Sequence, residues 1–253
     1  MNDWIIPEWP APCSVKALFT TRNGGAGSQP SPYASLNLGD HVGDDPLTVK
    51  QNRALLRRFL PAEPGWLKQV HGTISVNVDE DDCTAPGEGD AAFSRRPENV
   101  CAVLVADCLP VLLCDHAGSL VGVIHAGWRG LADGIIERTI SAIGPLDTPI
   151  MAWLGPAIGS DHFEVGEEVR QAFISHDKNA ALAFVPSNPC HEGKWLADLF
   201  LLARQRLASV GVTEVYGGMY CTFSDPARFF SYRRDGLTGR MAGLIWLVQQ
   251  DNT

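Results

Sequence analysis

The chain has no long apolar run, no paired cysteine motif and no excess of positive charge, and each absence removes a class of protein. No stretch of about 18 uninterrupted apolar residues occurs, so no membrane span is expected. Lys and Arg number 20 against 29 Asp and Glu, a formal charge of −9. Binding nucleic acid without regard to sequence needs clustered cations, so no nucleic-acid partner is expected. The seven cysteines form an odd set without a CxxC pair, and Cys101, Cys108 and Cys114 stand among apolar residues. That usage fits a reducing cytoplasm better than a disulfide framework. No basic N-terminal region leads into a signal-like stretch. Neither a strand–GxGxxG–helix nor a GxxxxGK[ST] loop is present, which argues against a dinucleotide or Walker-type nucleotide site. No period of 20–50 residues repeats, no segment has a disordered composition and no linker stands out, so residues 1–253 read as one domain.

What is present centres on Val100 to Gly130, the longest apolar run. It reads as two buried strands around a turn at His116-Ala117-Gly118-Ser119. If that turn pairs His116 with Ser119, opposed residue numbers sum to 235, which pairs Cys108 with Gly127 and His125 with Pro110. Cys108 and His125 then become diagonal neighbours on one face. Their Cβ atoms would lie roughly 7 Å apart, within reach of one metal ion. Elsewhere, Val15–Thr20, Gly65–Val70, Ile74–Val78, Ile150–Leu154, Val212–Cys221 and Leu244–Val248 read as strands. Asp79 to Asp90 reads as an acidic loop. Asp45-Pro46 is a helix start with Asp as N-cap and Pro at N1, and that helix runs toward Leu60. Leu131–Ile143, the segment from Val165 to Phe173, and Leu196–Val210 have helical spacing, with Gly144-Pro145 and Gly211 as stops. Strands and helices mix irregularly, an α/β pattern.

His71, beside Gly72 at the end of a predicted strand, is the third polar group. Two His and one Cys suit zinc, and three protein ligands leave a fourth position for water or substrate. A lone strand histidine is more often a hydrogen-bonded core residue, and Cys101 and Cys114 read as small hydrophobes. After His125, Ala126-Gly127-Trp128-Arg129-Gly130 leads into a helix whose N-terminus would favour an anion. Arg129 either adds charge there or is solvated. Arg22, in the Gly24-Gly25 loop, is a further possible anion ligand, and the two glycines are equally an ordinary turn. Arg233 and Arg234, read on a strand, would point to opposite faces, so at most one serves a given site. His41, His116, His162, His176 and His191 read as surface residues.

QVHG (69–72), ADCLP (106–110), HAGWRG (125–130), GPAIG (155–159), FEVG (163–166) and FFSYRRD…TGR (229–240), with TRNGG near the start and SLNLG at 35–39, together resemble the YfiH-type family. It is also called the laccase-domain or multicopper polyphenol oxidase family. The resemblance covers nearly the whole chain. It implies a single-domain α/β fold, a layered α/β/β/α sandwich with mixed sheets. It also implies a zinc site of His71, Cys108 and His125. The implied activity is purine nucleoside phosphorolysis of adenosine, inosine, guanosine or methylthioadenosine, with adenosine deamination at the same site and a link to peptidoglycan precursor editing. The partners implied are purine nucleosides and phosphate, with Arg22, Asn37, Arg129 and Arg233 as substrate or phosphate ligands. Asp107 is the candidate proton carrier, or else the partner of a ligand histidine.

Some activities fit less well. The HxE…PCxxC pattern of base-deaminating zinc enzymes is absent, because Cys190 is followed by Gly193 where a second Cys is needed. Seven His without a His-x-His pair sit poorly with a multicopper centre, although two His and one Cys could hold one copper. Two other hypotheses stand beside the phosphorylase. One is a Cys108–His125 thiol amidase. The other is a non-catalytic zinc protein with Cys221 as fourth ligand. Oligomeric state is not legible.

Overall fold

The computed structural model describes residues 2–80, 87–187 and 193–249. Its centre is the hairpin of Leu109–Asp115 and Val121–Ala126, in the expected register, with Pro110 opposite His125 and Leu112 opposite Val123. The Asp115 carboxylate closes the turn by accepting the N–H of Ser119 and Leu120 and the Ser119 hydroxyl.

The apolar run makes three strands where two were expected. Cys101–Val105 is separate and pairs with Met241–Leu247 in another sheet. The break falls at Asp107, whose φ of 88° turns the chain out of one sheet and into the next. Cys108 therefore lies in the bend just before the hairpin.

Six strands form the large mixed sheet, in the order Glu214–Gly217, Ile150–Leu154, Leu109–Asp115, Val121–Ala126, Ala91–Ser94, Ser75–Asn77. A small antiparallel sheet runs Val15–Phe19, Met241–Leu247, Cys101–Val105. Alternation along the strands builds the layers. Val111, Leu113 and Ile124 meet Ile135, Ile136, Leu199 and Leu202 of two helices. Leu112, Cys114, Val121 and Val123 meet Phe19, Cys101, Val103 and Ile245 across the gap between the sheets. The other face of the small sheet, with Leu18, Leu104 and Leu244, packs on Leu56 of the helix Pro46–Arg57. The result is the α/β/β/α order. Each fully buried aliphatic side chain contributes about 1.5–3 kcal/mol, so a strand such as Leu109–Asp115, buried at all seven positions, anchors both cores. Cys101 and Cys114 are indeed buried apolar fillers of the inter-sheet core.

Other elements differ in detail. The strand expected at Gly65–Val70 is only Leu67–Lys68, and that at Val212–Cys221 only Glu214–Gly217. The helix from Asp45 stops at Arg57. The helix expected over Leu131–Ile143 is two, Trp128–Ala132 and Ile135–Ile143, because Gly134 adopts φ 90° between them. Val165 belongs to a strand before the helix Glu167–Ile174. Leu196 likewise precedes the helix Leu199–Ser209, which Asp198 caps through the Leu201 N–H. Arg233 and Arg234 sit on a short helix, Tyr232–Asp235, with Ser231 as its N-cap, so the strand reading is corrected. Within the expected loop of Asp79 to Asp90, residues 81–86 lie outside the described residues, as do Cys190 and His191.

Candidate metal centre and its surroundings

The strand parity that sends Val121 and Val123 into the inter-sheet core sends His125 the same way. His125 is 2% exposed. Cys108 packs against the same core from the bend. His71 arrives from the loop after Leu67–Lys68, with φ 59°. One ligand atom from each of His71, Cys108 and His125 lies within 4.8 Å of the others, and no fourth donor joins them among the described residues. The His71 Nε2 is 3.8 Å from the Cys108 Sγ. Burial grades from exposed His71 through half-buried Cys108 to buried His125, so the cluster opens to solvent on one side.

Two imidazoles and one thiolate form a donor set that zinc accepts and copper tolerates. The cradle is shaped for an inserted group. A Cβ at Gly127 would stand 2.8 Å from the His71 Cδ2 and 3.2 Å from the Cys108 Sγ, so only glycine leaves that space clear. The chain's residues therefore fit a three-ligand metal ion.

Asp90, fully buried, arranges two of the ligands, and sequence reasoning missed it. Its carboxylate accepts the backbone N–H of Val70 at 3.2 Å, His71 at 2.9 Å and Gly72 at 2.7 Å. The same Oδ1 takes the His125 Nδ1–H at 2.8 Å, and the Asp90 carbonyl accepts the His125 backbone N–H. With Nδ1 bound this way, Nε2 is the His125 atom left for a metal. Burial alone would raise the Asp90 carboxyl, but hydrogen bonds from His125 and Gly72 outweigh it and hold it below the usual carboxylate range. The one available signal was an acid closing a polar loop immediately before the buried Ala91-Ala92-Phe93.

Burial pushes the Cys108 thiol up, yet the adjacent His125 charge and the hydrogen bonds from His125 and His71 bring it down to about 6. Burial likewise opposes charging His125, and the Cys108 thiolate and Asp90 reverse this, raising it to about 9. The two titrate as one pair, a thiolate–imidazolium couple at neutral pH in metal-free protein. Alkylation by iodoacetamide, followed site by site by mass spectrometry, should therefore show Cys108 reactivity leveling off near pH 7 and added zinc protecting it. A rate still climbing through pH 9 would contradict the pairing. Cys101 and Cys114 should stay unmodified in folded protein, because burial raises both thiols, Cys114 to about 12.

The other predicted residues are distributed around this cluster. Asp107, buried, accepts the Thr222 hydroxyl at 2.5 Å and the Arg233 backbone N–H at 2.6 Å, tying two loops to the bend; the carboxylate on a ligand histidine is Asp90 instead. Arg233 donates Nη1 to the Glu164 carbonyl. Arg234 is consumed by the carbonyls of Thr222, Phe223 and Phe229 and by an ion pair with Asp235. Arg22 spans the Ala34 and Pro226 carbonyls over the Phe230 ring. Arg129 is exposed, with its guanidinium 4.4 Å from the Trp128 ring centre. Asn37 is fully buried, its amide joined to Gly39, Asp44 and the Arg240 N–H. Cys221 stands apart from the cluster and accepts from the Gly159 and Ser224 N–H groups. His41, His116 and His176 are exposed, and His162 stacks on Phe223.

Fold and site together define a layered α/β protein with an open cluster of two histidines and one cysteine, able to hold a metal ion, at the end of its inter-sheet core. The family model described as multi-copper polyphenol oxidoreductase laccase matches residues 16–248, and the chain belongs to that family. A purine nucleoside phosphorylase of Pseudomonas aeruginosa is 51% identical over 98% of this chain and 99% of its own length. The purine nucleoside phosphorylase YfiH of Escherichia coli is 50% identical over 98% and 100%. Among solved structures, Neisseria meningitidis protein NMB0706 superimposes with a TM-score of 0.90 at 48% identity, covering 98% of this chain and 100% of that one. YlmD from Geobacillus stearothermophilus gives 0.78 at 32% identity, covering 95% and 94%. Among the described residues, no helix is long and apolar enough to cross a membrane.

Proposed function

We propose that this chain is a metal-dependent purine nucleoside phosphorylase, acting on adenosine, inosine, guanosine and methylthioadenosine, with adenosine deamination as a side activity. The observation that carries it is the open His71–Cys108–His125 cluster in a chain half identical to proteins named for that activity. In phosphorolysis a phosphate oxygen bonds to C1′ as the bond from C1′ to the purine nitrogen breaks. The electron pair leaves with the base, which takes up a proton. Zinc held by the three ligands would supply Lewis-acid polarisation.

The protein's own residues bind and orient. Asp90 holds His125 and the His71 loop in place, and the exposed flank at His71 admits the nucleoside. Asp107, as proton carrier, acts through the Thr222 hydroxyl bonded to it. Arg22, Arg129 and Arg233 stand as the proposed substrate ligands, and the buried Asn37 acts by holding its neighbours.

Zinc-loaded protein should release hypoxanthine from inosine only when phosphate is present, with one ribose 1-phosphate per base, and His125→Ala should release none. Equal rates in both proteins would sink the reading. Elemental analysis distinguishes zinc from copper.

The thiolate–imidazolium couple favours one second reading, a thiol amidase with Cys108 as nucleophile, suited to peptidoglycan precursors. Such an enzyme would be most active without metal and silenced by iodoacetamide.

A further inference from the structure

Resting on the phosphorylase reading, we infer that Arg240 is the anchor for the anionic co-substrate, inorganic phosphate. It precedes the strand Met241–Leu247, in which Met241 pairs with Val105; continuing that register by one residue sets Arg240 opposite Ala106, next to Asp107 and Cys108. Its backbone is clamped, the N–H donating to the Asn37 Oδ1 at 2.8 Å and the carbonyl accepting the Leu38 N–H at 3.1 Å. Gly39 lies so close to its stem that a Cβ there would stand 2.8 Å from the Arg240 Cγ.

The guanidinium, in contrast, is under-used. Only Nη1 makes hydrogen bonds among the described residues, to the carbonyls of Thr238 and Gly239 in its own segment, and the guanidinium lies 6.0 Å from the centre of the Tyr232 ring. Among the described residues it has no carboxylate at ion-pair distance, although it is half-buried. Of the arginines compared, Arg22 and Arg234 spend their forks on backbone carbonyls from other segments, and Arg129 points into solvent.

A half-buried charge with no acid bonded to it is costly, and an anion hydrogen-bonded to its fork offsets that cost. Burial lowers the Arg240 basicity, and attraction to the charges of Cys108 and Asp107 opposes this. A planar fork holds phosphate through two parallel hydrogen bonds, and a phosphate so held would meet a nucleoside at the mouth of the cluster.

A phosphoryl group carried on a nucleotide would satisfy the same fork, so the test uses both sources. In zinc-loaded protein, Arg240→Met should raise the KM for phosphate by about 10–100-fold. The nucleoside KM, zinc stoichiometry and phosphate-free Tm should stay as in wild type. Arg240→Lys should fall between the two. Gly39→Ala, which displaces the stem but keeps the charge, should also raise the phosphate KM. Inorganic phosphate should raise the wild-type Tm and leave that of Arg240→Met unmoved. An unchanged phosphate KM and Tm response in Arg240→Met would overturn the assignment, as would stabilisation of wild type by adenosine 5′-monophosphate alone. If wild type releases no base while phosphate stabilises it through Arg240, the phosphorylase reading falls and the anion site stands.

Discussion

A Cys108→Ala protein should fold, lose its metal and lose phosphate-dependent base release by more than about a hundredfold. The size follows from comparison. Removing an outer partner of a metal ligand typically costs about 10–100-fold in affinity or activity, and a direct ligand must cost more. Folding should survive because Cys108 sits in the bend, half-buried, whereas the hairpin it leads into is held by seven buried positions and two neighbouring strands. Removing the sulfur also removes the partner that raises His125, so the imidazole loses its main source of extra basicity. The measurements are zinc per chain by elemental analysis, base release from inosine, and Tm. Retained zinc together with retained activity would remove Cys108 from the metal's necessary ligands. Retained activity without zinc would remove the metal from the chemistry.

Asp90→Asn should be damaging in a different way, costing stability as well as metal affinity. Its carboxylate accepts four hydrogen bonds, three from consecutive backbone N–H groups and one from His125. An amide has one accepting oxygen and brings two donors of its own, so in this fully buried site at least one donor must face another. Breaking a buried charged pair costs about 3–5 kcal/mol, which sets the expected loss in unfolding free energy. Metal affinity, read by competition with a chelator, should fall about 10–100-fold because neither the His71 loop nor the His125 ring is then fixed. A purely structural residue would lower the unfolding free energy and leave the chelator competition of the folded fraction unchanged, so the two readouts separate the roles. Stability should also show the sign expected of a carboxylate held below its ordinary range. Its contribution is complete above the unfolded value and disappears as pH falls through the lowered folded value, and the Asn variant should lack that acid-side loss.

The chain by itself determined the central register. The run from Leu109 to Ala126 is largely apolar with a turn at 116–119, and once that turn pairs His116 with Ser119, parity puts Cys108 and His125 on one face. His71 is legible as a polar group beside Gly72 at the end of an expected strand, and the layer order comes from the family motifs, which lie in sequence order and cover nearly the whole chain. Tertiary structure alone decided the rest. A left-handed φ at Asp107, a residue type that only occasionally adopts it, splits the run between two sheets, and no local pattern announces that. Arg233 and Arg234 form a helical turn because Ser231 caps it locally and Asp107, 126 residues away, accepts the Arg233 N–H. Asp90 looks like the end of an acidic loop until residues 70–72 and 125 close over it. Which arginine keeps a free charge is likewise invisible in sequence. Each guanidinium is neutralised or left alone according to the carbonyls and carboxylates that distant segments bring to it, and folding leaves the Arg240 fork hydrogen-bonded only to the carbonyls of Thr238 and Gly239 in its own segment.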